Sequence, residues 1–104
     1  LLSVTLGPKG CICYVNGRIV KEPTFDVKTV DTTGAGDSFW GAMLYQLISN
    51  KKDILSYNDK GINELIRFSN AAGSLTTTGK GAINAMPDKQ SIIECIKNVP
   101  FLNP

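Results

Sequence analysis

Residues 31–41, Asp31-Thr32-Thr33-Gly34-Ala35-Gly36-Asp37-Ser38-Phe39-Trp40-Gly41, set three small residues and a carboxylate directly ahead of an apolar run. In that run, Ser38 to Ser49, Phe39, Met43 and Leu47 recur every four residues, with Trp40, Leu44 and Ile48 beside them. The period predicts a helix over 38–49, apolar over a wide arc and therefore buried, Trp40 included as a core residue. Gly41 inside it costs about 1 kcal/mol relative to Ala, which a close helix–sheet contact would offset. At the start of such a helix the first backbone N–H groups have no intrahelical acceptor and carry roughly half a positive charge. Gly34 and Gly36 keep side chains away from those donors, so the junction has the build of an anion hole. Spacing alone leaves Asp37 two roles, a first-turn capping carboxylate or a catalytic group. A carboxylate beside a phosphate cradle repels phosphate. It is a poor binding group and a good base if a hydroxyl must lose its proton there.

Outward from this segment the chain divides into strands before it and helices after it. Leu2 to Leu6 reads as a strand ending at the turn Gly7-Pro8-Lys9-Gly10. Cys11 to Val15 reads as a second strand, Asn16-Gly17 as a hairpin turn and Arg18 to Lys21 as the return strand, broken by Pro23. Phe25, Val27 and Val30 lead to Asp31 through extended chain. Downstream, residues 51–60 form a polar connection. A second helix is expected from about Asp59 to Thr77, with Ile62, Leu65, Ile66, Ser69, Ala72 and Gly73 on one face. Its small C-terminal residues would admit another backbone. Thr78-Gly79-Lys80-Gly81 ends it. Pro87-Asp88 opens a third helix, with Ile92, Ile93, Ile96 and Val99 inward, which Pro100 stops. The pattern implies an α/β protein, a helix-packed sheet within one domain or part of one.

Composition narrows the function. The chain has 104 residues, 42% hydrophobic and 19% charged, enough for a globular core. A net charge of +2 without a basic run gives no nucleic-acid footprint. No apolar stretch approaches the ~20 residues of a membrane helix. Cys11, Cys13 and Cys95, with no histidine, form neither a disulfide framework nor a closed zinc site. They read as reduced packing residues, and a cytoplasmic location follows as the expectation. Other phosphate motifs fail: a dinucleotide fingerprint needs Gly where Phe39 stands, and a Walker loop ending at Gly79-Lys80 needs Ser or Thr where Gly81 stands. A serine-hydrolase site lacks its histidine.

Three segments together carry a resemblance. DTTGAGDSFWGA from Asp31 resembles the second signature of the ribokinase-like (PfkB-type) carbohydrate kinases. VTLGPKG, Val4 to Gly10, is similar to that family's strand and turn at the nucleotide site, and SNAAGSLTTTGKGA, Ser69 to Ala82, to its closing helix and loop. Within the family, the cysteine after the turn, the VDTTGAGDSF wording and Ala85-Met86-Pro87 look most like bacterial fructokinases. The resemblance implies the C-terminal part of a three-layer α/β/α sandwich, residues 1–104 forming one nucleotide-binding and catalytic part of a larger kinase domain. It implies ATP, Mg²⁺ and K⁺ as cofactors and a sugar, fructose first, as acceptor. Ribose, ketodeoxygluconate, a nucleoside or a sugar phosphate are the other acceptors, and a non-catalytic nucleotide-binding module is the other class.

By position, Asp37 matches the base, and Gly34, Ala35, Gly36 and the Asp37 amide match the anion hole. Thr5, Gly7 and Gly10 match the turn near the nucleotide phosphates and ribose, and Asn70 a residue facing the nucleotide. Asp31, Thr33, Thr76, Gly79, Gly81 and Ala85 match the potassium loop. Plainer roles stand beside these: solvent-facing polarity for Asn70, ordinary strand for Thr5, a brace for Asp31 and a solvated side chain for Lys80. The segments that hold the sugar, form the lid and position Mg²⁺ in this family precede everything present here. The expectation is that the 104 residues alone are inactive, that their open sheet edge limits solubility, and that the intact protein pairs as a homodimer through lid strands.

Overall fold

The computed structural model describes residues 2–5, 10–15, 17–23, 25, 34–51, 56–78 and 88–101. Three strands come first: β1 (Leu2–Thr5), β2 (Cys11–Val15) and β3 (Arg18–Glu22). They form one antiparallel sheet in the order β1-β2-β3. Val15 pairs with Arg18 across a two-residue connection in which Gly17 takes φ 77°, the left-handed value that a tight hairpin turn requires. β2 alternates as a half-buried strand should. Cys11, Cys13 and Val15 point into the core and Tyr14 is exposed. Gly10, at φ 92°, enters β2 so close to the end of β3 that a Cβ there would lie 2.0 Å from the Glu22 carbonyl oxygen. Only glycine fits.

Three helices follow: α1 (Ala35–Asn50), α2 (Asp59–Thr76) and α3 (Lys89–Asn98). α2 and α3 start on side-chain caps. Asn58 Oδ1 accepts from Gly61 N and Asp88 Oδ1 from Ser91 N, each at 2.8 Å. The Ser91 amide also holds the Asp88 carboxyl below its usual value. One core cluster joins Cys11, Cys13 and Val15 of β2 to Phe39 and Met43 of α1 and Ile62, Leu65 and Ile66 of α2. A second joins Phe25, Ala71, Ala72, Ile92 and Cys95, and seats α3 on α2. Gln46 adds a polar link between α1 and α2, its Nε2 donating to Leu65 O and Ser69 Oγ, both at 3.1 Å. Phe101 returns to form an antiparallel bridge with Phe25. Arg18 forms an ion pair with Asp59 between the start of β3 and the start of α2. Among the described residues no helix is long and apolar enough to cross a membrane.

The expected hairpin and three helices are present, with four differences. First, α1 is buried on one stripe only: Trp40 is 36% exposed, Leu44 54% and Ile48 74%. Trp40 is therefore not a core residue. Phe39 and Met43 meet β2 and α2, and residues one step further around the helix are turned away from both. Second, Gly41 lies in open space, with nothing within 4 Å of an added Cβ, so no helix–sheet contact accounts for it. Third, Cys95 shares the inner face of α3 with Ile92, while Ile93 is only partly buried. Fourth, β3 runs one residue past Lys21, to Glu22. The expected extended chain through Val27 and Val30 lies outside the described residues.

The three cysteines are buried and none is in a disulfide. Its hydrogen bond with Cys13, and then burial, push the Cys11 thiol far above its usual range, and burial raises Cys95. Cys11 and Cys95 therefore stay protonated, and all three cysteines pack as small apolar groups.

The one-sided burial of α1 has a direct consequence. Met43→Ala is expected to lower unfolding free energy by about 2–5 kcal/mol, and Ile48→Ala, on the same helix, by under about 0.5 kcal/mol. Paired denaturant melts measure both; equal losses would mean that α1 is rotated from the orientation described.

Candidate active site

α1 begins at Ala35, three residues ahead of the expected Ser38, so the small residues and Asp37 are themselves its first turn. The cause is Gly34, which takes φ 82°, ψ 0° and turns the chain straight into the helix without a side-chain cap. The first intrahelical bond runs from Ser38 N to Gly34 O at 2.9 Å. The amides of residues 34–37 precede it and are the donors that a helix start leaves over. An added Cβ at Gly36 would meet nothing within 4 Å, so the space beside that turn is open. Asp37 is exposed, its carboxylate in the same turn as these donors. A group placed there lies in the positive end of the helix field while remaining solvated.

The turn is braced from behind by α2. An added Cβ at Gly73 would stand 3.2 Å from the Ala35 carbonyl oxygen and 3.8 Å from Phe39 Cβ. One turn on, the Thr76 hydroxyl lies 2.6 Å from Ser38 Oγ and 2.9 Å from the Ala72 carbonyl oxygen. Ser38 and Thr76 are both buried, so this hydroxyl contact is shielded from water. The small residues expected to admit another backbone do so, and the backbone is that of the first turn of α1.

The remaining candidates fall in different places. Thr5 ends β1 opposite Cys11, and Gly10 opens β2 beside Glu22. Asn70 is buried rather than solvent-facing, its Nδ2 donating to the Pro23 carbonyl at 2.7 Å. Thr76 has its hydroxyl turned to Ser38. Gly7, Asp31, Thr33, Gly79, Lys80, Gly81 and Ala85 lie outside the described residues. Among the described residues no cluster of three or more Cys, Asp or Glu side chains offers a metal site. Sequence reasoning missed Ser38 and the pair Glu22–Arg67. The one available signal for Ser38 was a small polar residue directly before Phe39, on the inward stripe of an apolar helix.

Known proteins resemble the chain over most of its length. Residues 1–89 match the family described as pfkB family carbohydrate kinase. Fructokinase-1 of Zea mays is 41% identical over 97 residues, which cover 93% of this chain and 29% of the maize protein. The ATP-bound fructokinase of Xylella fastidiosa superposes with a TM-score of 0.82 at 30% identity, over 91% of this chain and 31% of that one. A double-mutant fructokinase of Vibrio cholerae, in its fructose-, ADP- and potassium-bound form, gives 0.76 at 35% identity, over 90% of this chain and 29% of that one. The chain thus spans about three-tenths of the length of these relatives.

The buried hydroxyl contact behind the turn is testable by itself. Thr76→Val, which keeps the shape and deletes the oxygen, is expected to cost about 1–3 kcal/mol, and Thr76→Ser to recover most of it. Denaturant titration of the three proteins reads the difference; a neutral valine would show that Ser38 and Thr76 do not hold the helices together.

Proposed function

The chain belongs to the pfkB family of carbohydrate kinases, and we propose that the protein it forms transfers the γ-phosphoryl of ATP to a hydroxyl of fructose, with Asp37 as the base. The observation that carries this reading is the exposed Asp37 carboxylate in the uncapped first turn of α1, beside an open approach to the amides of residues 34–37. Phosphoryl transfer spreads negative charge over the moving group's oxygens, and preorganised backbone donors stabilise that charge without reorganising. The base serves the other partner. It accepts the acceptor hydroxyl's proton as the oxygen attacks, and its own charge keeps a second anion out of the alcohol's position. Asp37 therefore has a task that differs from that of the donors next to it.

ATP as donor is supported by the ATP-bound Xylella fructokinase, and fructose by the names of the maize and Vibrio relatives. Thr5, Gly7, Gly10 and Asn70 are proposed to line the nucleotide's side of the site. Mg²⁺ would neutralise the phosphates during transfer. K⁺ would bind through oxygens of Asp31, Thr33, Thr76, Gly79, Gly81 and Ala85. With the Thr76 hydroxyl directed at Ser38, its share would come through the carbonyl. The Vibrio relative's potassium-bound form supports that ion.

The test is steady-state kinetics of the intact gene product over a panel of sugars, with Asp37→Asn as the variant. Wild type is expected to release ADP in a sugar-dependent way, fastest with fructose. Asp37→Asn is expected to lose about 10²–10⁴-fold in kcat with little change in ATP binding. Turnover near wild type in the variant would remove the base assignment. ATP binding without sugar-dependent ADP release in the wild type would favour the non-catalytic module.

A further inference from the structure

One stripe of α2 makes three successive contacts with the segment that leaves β3. Arg67 Nη2 donates to Glu22 Oε1 at 3.2 Å, Asn70 Nδ2 donates to the Pro23 carbonyl at 2.7 Å, and Ser74 Oγ accepts from Phe25 N at 3.4 Å. Positions 67, 70 and 74 share one helix face, so the helix grips residues 22, 23 and 25 in order. The gripped backbone is also the wall against which Gly10 is pressed: an added Cβ at Gly10 would lie 2.0 Å from Glu22 O and 2.8 Å from Pro23 Cα. Whatever fixes Glu22 and Pro23 therefore fixes where the chain enters β2.

The Glu22–Arg67 pair is the charged contact of the three. The Glu22 side chain is only 7% exposed, and the guanidinium opposite it offsets the cost of burying its carboxylate. Arg67 is 46% exposed and lies 5.4 Å from the centroid of the Phe101 ring, which packs on Phe25 at 4.8 Å. The guanidinium thus meets Phe101, the ring that packs on Phe25 at the far end of the grip. No step of the proposed chemistry needs a carboxylate or a guanidinium there, and the backbone of the same Glu22 is what stands against Gly10.

We infer that Arg67 and Glu22 are positioning residues for the nucleotide: the pair locks the end of β3 against Gly10 and so sets the nucleotide-side wall of the site. This rests on the kinase reading above, in which Gly10 adjoins the nucleotide. The pair acts through Gly10 and touches neither the anion-hole turn nor Asp37, so it bears on nucleotide affinity and not on the chemical step.

The test is ATP titration by calorimetry on the intact gene product, with KM for ATP, KM for fructose and kcat measured alongside. Arg67→Ala is expected to weaken ATP about tenfold in both Kd and KM while kcat and the fructose KM hold within about threefold. Arg67→Lys is expected to recover part of the loss. The double variant Glu22→Gln with Arg67→Ala is expected to be no weaker than the worse single variant, because paired groups act as a unit. If Arg67→Ala does not fold, Arg67→Gln, which keeps a donor to Glu22 without the charge, is read by the same titration for the same selective loss. Unchanged ATP affinity in a folded Arg67 variant overturns the inference, as does a parallel change in ATP and fructose KM. Failure of the wild type to bind ATP or turn over any sugar would instead overturn the kinase reading and this inference with it, so the two failures are told apart.

Discussion

The contact between Gly73 and the Ala35 carbonyl is the constraint around which the rest is arranged. It brings the backbone of α2 against the first turn of α1, where a Cβ at position 73 would stand 3.2 Å from the carbonyl oxygen and press on it. A helix N-terminus in solution frays, because its first turn has no hydrogen bonds to hold it. Here that turn is supported from behind by packing, through Gly73 and Phe39, and by the buried contact of Thr76 with Ser38. The donors on its open side then need no side-chain cap to stay in place. A cap would occupy the donors that an anion requires, so bracing the turn from the rear keeps it both rigid and open.

α2 serves two sites from adjacent faces. Gly73 and Thr76 hold the start of α1, while Arg67, Asn70 and Ser74 hold the exit of β3. The two stripes belong to one helix, so the first turn of α1, the proposed anion hole, and the backbone around Gly10 are held at a fixed separation. Phosphoryl transfer depends on such a separation, since positioning and charge stabilisation supply nearly all of its catalysis. A helix rich in Ala, Gly and Ser over residues 69–74 suits this use better than a bulky one, because short side chains leave its backbone the reference surface.

Much of this was legible in the sequence, and what was not has physical causes. The hairpin was readable because Asn16-Gly17 has few alternatives between two apolar runs, and the three helices because their periods are clear. The start of α1 was misjudged by three residues, since glycine and alanine give no periodic signal and a left-handed Gly34 is invisible without coordinates. The burial of α1 was overestimated for a different reason. Periodicity shows that Phe39, Met43, Trp40, Leu44 and Ile48 lie on one broad arc, but only the neighbouring elements decide how much of that arc is covered. Glu22 and Arg67 were missed because they stand 45 residues apart and belong to no motif. Long-range ion pairs leave no local trace in a chain. Asn70 shows the converse: its position was marked by resemblance, while its observed bond, to the Pro23 carbonyl, follows only from the fold.

The electrostatics of the first turn bear on why its acid is aspartate and why it lies at position 37. Amide donors attract a carboxylate as readily as a phosphate, so an acid free to fold back onto the turn would compete with the ligand. A residue that is already inside the helix has its Cβ fixed by helical geometry, and a short side chain from there has limited reach back to the N-cap amides. Asp37, two residues into α1 and exposed, meets that condition. A carboxylate at the N-cap itself would satisfy the donors and close the cradle. Gly34 at that position, with no side chain, puts no competing acceptor on the amides, while the Asp37 carboxylate stays in the same turn.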